Sequence, residues 1–232
     1  MPPRALDPAG VALVDKPAGP SSFAIVAQIR RRTRARTGHA GTLDPFATGL
    51  LLLLSGRATK LAPCLVGLDK RYLTDVDLTA RTSTGDPEGT VVETLEPPGE
   101  AELERRLAGL RGEIELPIPA ASAVKIGGER AYRLARRGVE VEMPLRRSTV
   151  HALGVIAYTG DSVTLDLSVS SGTYIRAIAD ALGGHCRTLR RTEVGPFSVA
   201  DAVTPDAFEP ALLLPEAEVL ARVERARDGV GP

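Results

Sequence analysis

The sequence predicts an α+β protein in which helices pack on a mixed, largely antiparallel β-sheet. Apolar and polar residues alternate over residues 72–78 and 163–169, which is the pattern of half-buried strands. Leucine or isoleucine recurs at helical spacing in AELERRLAGL and in TYIRAIADALGG, so each segment would have one apolar helix face. The strands are more numerous than alternating parallel strands and helices require, which favours antiparallel pairing.

Local signals define several of these elements more closely. A helix is predicted over residues 21–32, with one of its first two serines as the N-cap. The apolar run Leu50–Leu54 predicts a buried strand, and Gly183 and Gly184 should end the helix that precedes them. The stretch Glu96–Gly99, rich in proline and glycine, predicts a loop and not a domain boundary.

Composition excludes several classes of protein. The chain has 29 Lys and Arg against 29 Asp and Glu, so it lacks the uniform basic charge of a histone-like binder. Two cysteines and three histidines form neither a disulfide framework nor a metal-ligand array. The first ten residues lack the apolar stretch of a signal peptide, and the longest apolar run is too short to span a membrane. We therefore expect a cytoplasmic protein without a membrane partner or a metal.

Charge is segregated along this neutral chain. Residues 25–75 contain nine basic and three acidic residues, whereas residues 86–116 contain nine acidic and three basic ones. The balance becomes positive again over residues 125–151. The two basic stretches would suit one polyanion-binding face if they converge, although solvated helix faces explain such runs about as often.

One polar loop stands out because the common nucleotide-binding and hydrolase motifs are missing. In GHAGTLDPFATGLLLLL a glycine-punctuated loop with His39 and Asp44 leads directly into the apolar strand, which would brace one carboxylate on a rigid element. Pro45 disfavours helical geometry at Asp44. The alternative is an ordinary Asp-Pro turn with a solvated side chain.

The tract GHAGTLDPFATGLLLLLSGRATK closely resembles the signature of the TruB family of tRNA pseudouridine synthases. Five further segments resemble that family in the same order: VALVDKPAGPSSF, DKRYLTDVDLTARTSTGDPEG, SAVKIGGERAYRLARRGVEVE, SSGTYIRAIADALG and LRRTEVGPFSVADA. The resemblance extends from about Val11 to Val203. It implies the pseudouridine synthase fold, with an active-site cleft across the sheet, a catalytic domain over residues 1–203 and a short helical tail over residues 204–232.

The resemblance also implies a reaction, the isomerisation of uridine 55 in the T loop of tRNA to pseudouridine, which requires no cofactor. The partner would be the T arm of tRNA, and the protein would act as a monomer without an obligate protein partner. Two alternatives remain open. The chain could be an RNA-binding or RNA-folding module that lacks the chemistry, or a synthase that acts on another RNA.

Three catalytic residues follow from the family pattern. Asp44 matches the essential aspartate, which either attacks the sugar or base or removes a ribose proton. Arg176 matches the arginine that pairs with this aspartate, with an ordinary surface arginine as the alternative. Tyr72 matches the tyrosine that stacks on the target base, and a buried strand tyrosine would show the same alternation.

The remaining candidate residues would bind substrate. His39 resembles the residue that enters the space left by the flipped nucleotide, Tyr174 and Leu189 resemble pocket residues, and Lys60, Lys125 and Asp86 match further positions at the RNA cleft. Charge alone adds the arginines of residues 30–36 as phosphate contacts. Each of these residues also has a purely structural explanation, such as core packing for Leu189 and Tyr174 or a turn for Asp86.

Two features depart from the family pattern. Ala121 stands where relatives usually have an aromatic residue, which puts RNA contacts at that position in doubt. About 29 residues follow Val203, fewer than a domain usually needs, so we expect no complete PUA domain at the C-terminus.

Overall fold

The computed structural model describes residues 8–122, 124–137, 139 and 141–229. Residues 1–7, on which part of the signal-peptide argument rests, lie outside this set. The chain divides into two compact units, one formed by residues up to Tyr72 together with those from Arg190 onward, and one formed by Leu73–Leu189. The second unit is therefore inserted between the two parts of the first.

The first unit contains strands β1 (Gly10–Lys16), β2 (Thr37–His39) and β3 (Thr48–Ser55), and helices α1 (Ser22–Thr33) and α2 (Ala62–Val66). Strand β4 (Lys70–Asp77) begins in this unit and ends in the second one.

The second unit contains strands β5 (Ala80–Thr82) and β6 (Val91–Thr94), helix α3 (Glu100–Ala108), strands β7 (Gly112–Pro117), β8 (Lys125–Ile126) and β9 (Glu129–Arg130), helix α4 (Ala131–Arg136), strands β10 (Leu145–Tyr158) and β11 (Ser162–Val169) and helix α5 (Ile175–Ala181). Strand β12 (His185–Val194) returns the chain to the first unit, which is completed by β13 (Phe197–Ser198) and α6 (Glu216–Arg227).

Strand β3 is the centre of the first unit. It pairs antiparallel with β1 and β2 and parallel with β12, where Arg191 lies opposite Gly49. All of its residues after Thr48 are buried, as expected for an apolar strand covered on both faces. Leu50, Leu52 and Leu54 point into a cluster that α6 completes with Val219 and Val223. Helix α1 also packs against β2 and β3.

In the second unit the strand order is β12-β4-β11-β10-β7, and β10 is antiparallel to both β11 and β7. The alternation predicted for residues 163–169 is confirmed, because Val163, Leu165, Leu167 and Val169 have no exposed surface. Strand β3 pairs antiparallel with β1 and β2, and β10 does so with β7 and β11, whereas the pairing of β3 with β12 is parallel. The predicted class, α+β with a mixed and mostly antiparallel sheet, is confirmed.

The predicted helices are confirmed with small changes at their ends. Helix α1 begins one residue later than the predicted segment, and Ser21 is its N-cap because the Ser21 hydroxyl accepts a hydrogen bond from the Ala24 amide at 3.2 Å. Leu103 and Leu107 are the buried residues of α3. Gly183 follows the end of α5 with a φ of 84°, a conformation that favours glycine.

The segment after residue 203 packs on the first unit. Leu214 forms an antiparallel bridge with Val11, and α6 buries Val219 and Val223, whereas Leu212 and Leu220 are largely exposed. The proposed boundary between residues 203 and 204 stays a prediction. Within the described ranges, no helix combines the length and the apolar character that crossing a membrane requires.

Gly49 shows why the signature tract requires a glycine at the start of β3. Its φ is 100°, and a Cβ atom at this position would lie 2.2 Å from the carbonyl oxygen of Arg191. We expect Gly49→Ala to lower the free energy of unfolding by about 2–4 kcal/mol, since it adds both backbone strain and a steric clash. Urea denaturation followed by circular dichroism measures this change.

Gly38→Ala is the matched control, because a Cβ atom on Gly38 would meet no atom within 4 Å. A Gly49→Ala protein as stable as the Gly38→Ala protein would contradict the close approach of β3 and β12.

Candidate active site

Asp44 lies in the loop between β2 and β3, and we call residues 40–47 the aspartate loop. Both ends of this loop are fixed on the first unit's sheet, because His39 pairs with Leu53 and the loop leads directly into Thr48. Asp44 is half-buried, and its carbonyl accepts a hydrogen bond from the Ala47 amide at 3.1 Å. The predicted loop, and the buried strand that braces it, are therefore present.

Lys16 holds the C-terminal side of the aspartate loop. This lysine ends strand β1 and has no exposed surface. Its ammonium group donates hydrogen bonds to the carbonyls of Ala47 at 2.7 Å, Pro45 at 3.0 Å and Pro17 at 2.9 Å. A buried ammonium is stable only when its donors are satisfied, so Lys16 and the backbone that follows Asp44 fix one another.

Ser22 holds the centre of the loop. Its hydroxyl donates to the carbonyl of Leu43 at 2.8 Å and accepts from the amide of Leu43 at 2.9 Å, both in buried surroundings. Ser22 is the first residue of α1, so the residue before Asp44 is tied to the beginning of that helix.

Arg191 holds the N-terminal side of the loop. This arginine is 1% exposed, and its guanidinium donates to the carbonyls of Gly41 at 3.2 Å, Thr42 at 3.4 Å and Leu50 at 2.7 Å. Arg191 thus anchors the aspartate loop before Leu43, Ser22 anchors it at Leu43, and Lys16 anchors it after Asp44. We refer to these three side chains as the loop anchors.

The loop anchors leave little signal in the sequence. Lys16 left a signal, since it is one of four lysines and follows the apolar run Val11–Val14 and Asp15, where a buried lysine needs an internal partner. Ser22 was considered only as a helix cap, a role that Ser21 takes. Arg191 left no distinguishing signal in a chain whose basic residues are nearly all arginine.

His39 lies at the end of β2, directly before the aspartate loop. Burial lowers the pKa of His39 below its ordinary value of 6.5, and the guanidinium of Arg191 lowers this pKa further. The Nδ1 atom of His39 is buried and has no hydrogen-bond partner among the described residues. The structure therefore favours a neutral imidazole at this position.

Tyr72 and Lys60 are the other candidate residues of the first unit. Tyr72 is 8% exposed on β4, where Lys70 and Thr74 share its buried face. This burial fits a strand tyrosine and a pocket tyrosine equally, so its contact with a base stays a prediction. Lys60 is exposed in the short 3₁₀ segment Gly56–Leu61, which fits a phosphate contact.

Arg176 and Asp86 form the buried polar centre of the second unit. Arg176, near the start of α5, is 4% exposed, so the interpretation as an ordinary surface arginine is wrong. Its Nη1 atom lies 3.5 Å from Oδ2 of Asp86, and its guanidinium donates to the carbonyls of Thr84 at 2.6 Å and Ala121 at 3.0 Å. The arginine is therefore held rigidly in a charge-assisted network.

Asp86 is a turn residue and also a structural partner of Arg176. Its carboxylate accepts hydrogen bonds from the hydroxyl of Thr84 and from the amide of Glu88, the latter at 3.1 Å. Because the turn and the arginine are joined by these contacts, the position of each depends on the other. Ala121 takes part through its carbonyl, so the departure from the family pattern at its side chain does not remove this contact.

The other candidates of the second unit occupy varied surroundings. Tyr174 is half-buried immediately before α5, and Leu189 is 6% exposed on β12, which also fits plain core membership. Lys125 is exposed on the small β8–β9 hairpin. In the described part of the chain, no group of three or more His, Cys, Asp or Glu side chains could hold a metal ion.

A protein-family model matches more than half of the chain. Residues 30–175 match the model described as TruB family pseudouridylate synthase, N-terminal domain. This range includes the aspartate loop, Tyr72, Asp86 and Tyr174, and it ends one residue before Arg176.

Curated relatives extend the similarity to most of the chain. A protein of Bordetella avium named tRNA pseudouridine synthase B is 41% identical over 223 residues, covering 91% of each chain. Proteins of the same name from Leifsonia xyli and Aromatoleum aromaticum are 42% and 44% identical and are covered over 78% and 68% of their lengths. In these alignments 94% and 86% of this chain are covered.

Solved structures show the same fold. A Cbf5–Nop10–Gar1 complex contains a chain that matches with a TM-score of 0.65 and 26% identity, over 88% of this chain and 57% of that one. An H/ACA RNP bound to a substrate RNA containing 2′-deoxyuridine matches with a TM-score of 0.63 and 25% identity, over 85% of this chain and 51% of that one.

The depressed pKa of His39 makes a prediction about pH. In the folded protein, we expect the imidazole of His39 to titrate with a midpoint below 6.5, as measured by NMR with His39→Gln used for assignment. As the pH falls below 6.5, the unfolded chain takes up this proton and the folded chain does not, so the free energy of unfolding decreases. His39→Gln should lose less stability than the original chain between pH 7 and pH 5.

A midpoint at or above 6.5, or equal losses of stability in the two proteins, would contradict a neutral buried imidazole at position 39.

Proposed function

The chain belongs to the TruB family of pseudouridylate synthases, and from this membership we propose that it isomerises uridine 55 in the T loop of tRNA to pseudouridine. The observation that carries the proposal is the aspartate loop, which lies inside the family match and which three buried side chains hold in place. A catalytic carboxylate needs such support, because small errors in its position are costly in rate. Its curated relatives bear the name tRNA pseudouridine synthase B.

The proposed reaction breaks the bond between N1 of uracil and C1′ of ribose and forms a bond between C5 and C1′. The hydrogen on C5 leaves as a proton to water, and N1 gains a proton, so the net change is an isomerisation. No oxidant, reductant or external group is consumed. The protein's task is therefore to cleave the glycosidic bond, retain the free base and allow it to turn.

Asp44 is the group to which we assign the covalent or proton-transfer step, and either role requires the carboxylate form. Burial alone would favour the protonated acid, so a cation has to act on Asp44. We assign this function to Arg176 by its match to the family motif. Support comes from the second unit, where Arg176 is buried and already held by Asp86 and two carbonyls.

The target uridine must leave its loop before it can react, which costs a few kcal/mol. We assign the support of the flipped nucleotide to His39, whose neutral imidazole avoids attracting a phosphate into the space vacated by the base. Tyr72, Tyr174 and Leu189 are proposed to contact the base, whereas Lys60 and Lys125 are proposed to contact phosphates, as their exposure allows. Asp86 acts through Arg176.

We further propose that the protein acts on free tRNA as a monomer in the cytoplasm, where its substrate is made. This distinguishes it from an RNA-binding module without chemistry and from a synthase that depends on a partner RNA. The two experiments that follow separate these functions.

Asp44→Asn should abolish turnover while leaving RNA binding largely intact, because it removes the reactive charge and keeps the shape of the side chain. The assay measures tritium released to water from tRNA labelled at C5 of uridine, and binding is measured by filter retention. Asp201→Asn is the matched control, since Asp201 is exposed on a short 3₁₀ segment. Full release by Asp44→Asn would exclude the assigned role, and no release by the original chain would exclude the enzyme.

The purified protein should also modify an isolated T-arm stem-loop without any added RNA or protein, because the proposed site is complete within one chain. Replacing the target uridine with cytidine in this stem-loop should prevent modification, as measured by mass spectrometry after chemical labelling of pseudouridine. Activity that appears only when cell RNA is added would instead support a guided enzyme.

A further inference from the structure

Helix α1 carries a row of exposed side chains that the proposed catalytic assignments do not use. Residues spaced by four and three along a helix lie on one face, so Phe23, half-buried Ala27 and Arg30 form a single row, and Arg34 follows just beyond the C-terminal end of the helix. Arg31 is adjacent to this row, and Ile25 and Ile29 occupy the opposite, buried side. Phe23 is 71% exposed at one end, and the arginines are exposed at the other.

The backbone at Arg34 is unusual. Helix α1 ends at Thr33, and Arg34 follows with a φ of 53° and a ψ of 20°. Among the described residues it is the one non-glycine residue with positive φ. Glycine or asparagine would adopt this conformation at a lower cost, so an arginine here sacrifices stability and gains an exposed positive charge.

Three arginines at the C-terminal end of α1 have no internal side-chain contact within the described ranges. The side chains of Arg30, Arg31 and Arg34 form no hydrogen bond or ion pair with another described residue. Their neighbour Arg32 differs, because its Nη1 atom donates to the carbonyl of Phe208 at 2.6 Å. We call Arg30, Arg31 and Arg34 the arginine row.

The arginine row is next to another basic segment of the same unit. The amide of Gly56 donates to the carbonyl of Arg36 at 2.8 Å, which fixes the 3₁₀ segment bearing Lys60 beside the residues that follow α1. Arg57 in this segment is neutralised by Glu216, with 2.7 Å between Nε and Oε1. Lys60, already assigned to phosphate contact, is exposed in the same 3₁₀ segment as Gly56.

The direction of α1 relates this surface to the aspartate loop. The first residue of the helix, Ser22, is hydrogen-bonded to Leu43, and the arginine row lies at the opposite end. Twelve residues of α-helix span about 18 Å. An RNA whose target nucleotide is at Asp44 would meet the arginine row with a part of its chain roughly this far away.

We propose that the arginine row of α1 binds the phosphate backbone of the RNA duplex that closes the target loop. This inference rests on the proposed function and specifies which part of the substrate is held. A duplex is the fitting partner because A-form RNA presents its phosphates at regular spacing, and arginines without internal partners bind phosphates without reading sequence.

The experiment compares the binding affinity of two substrate RNAs that share the target loop. One loop is closed by a short stem and the other by a longer stem. The original chain should bind the long-stem RNA at least ten-fold more tightly than the short-stem RNA. In the triple variant Arg30→Gln, Arg31→Gln and Arg34→Gly, this ratio should fall to about two-fold or less. The slope of log affinity against log salt for the long-stem RNA should decrease by about two to three units.

Single substitutions at Arg34 separate charge from backbone geometry. Glycine and asparagine both suit the left-handed conformation, so the Tm of Arg34→Gly and of Arg34→Asn should equal or exceed that of the original chain. In both variants the ratio of long-stem to short-stem affinity should fall about three-fold. Arg34→Lys should retain most of the ratio because it retains the charge. Arg227→Gln, an exposed residue at the end of α6, is the control for loss of one positive charge.

An unchanged ratio in the triple variant, or an equal decrease with Arg227→Gln, would overturn the inference. So would an original chain that binds the two RNAs equally. Tritium release from the long-stem RNA by the original chain tests the proposed function separately. Release without any dependence on the arginine row would reject only the duplex contact, and absence of release would reject the enzyme.

Discussion

The backbone carbonyls around Asp44 accept hydrogen bonds from two buried cations, and the rest of the first unit depends on this arrangement. Lys16 and Arg191 are each almost completely buried, and both donate hydrogen bonds to backbone carbonyls of the loop. Carbonyl dipoles stabilise a buried cation only when several converge with good geometry. The loop therefore has little freedom, and this rigidity is what a positioned carboxylate requires.

Local sequence patterns predicted the parts of the fold that they determine. The parts that depend on long-range contacts were not predicted. The alternation in β11 and the helical spacing in α3 place the correct residues in the core, because burial follows directly from periodicity. In β4 the same rule placed Tyr72 inward, but it did not anticipate that Lys70 would be buried too. That lysine donates to the carbonyls of Val66 and Leu68, and desolvation lowers its pKa to about 8.

The candidate site shows the same division. Family resemblance marked Asp44 and Arg176 as catalytic candidates, and these roles stay predictions, although the burial of Arg176 excludes an ordinary surface arginine. It also marked Asp86, but the pairing of Asp86 with Arg176 could not be derived from residues 90 positions apart in a chain rich in arginine. Ser22 could not be distinguished from Ser21 as a cap, because the choice depends on where Leu43 lies in three dimensions.

The late position of Arg191 in the sequence affects when the aspartate loop can be anchored during translation. The arginine that anchors the aspartate loop lies 141 residues after Leu50, and its strand is needed to pair with β3. While the ribosome is still translating the inserted unit, the loop around Asp44 has been made but its anchor has not. A nascent polypeptide that ends before β12 therefore has the aspartate loop without the guanidinium and the parallel strand that hold it.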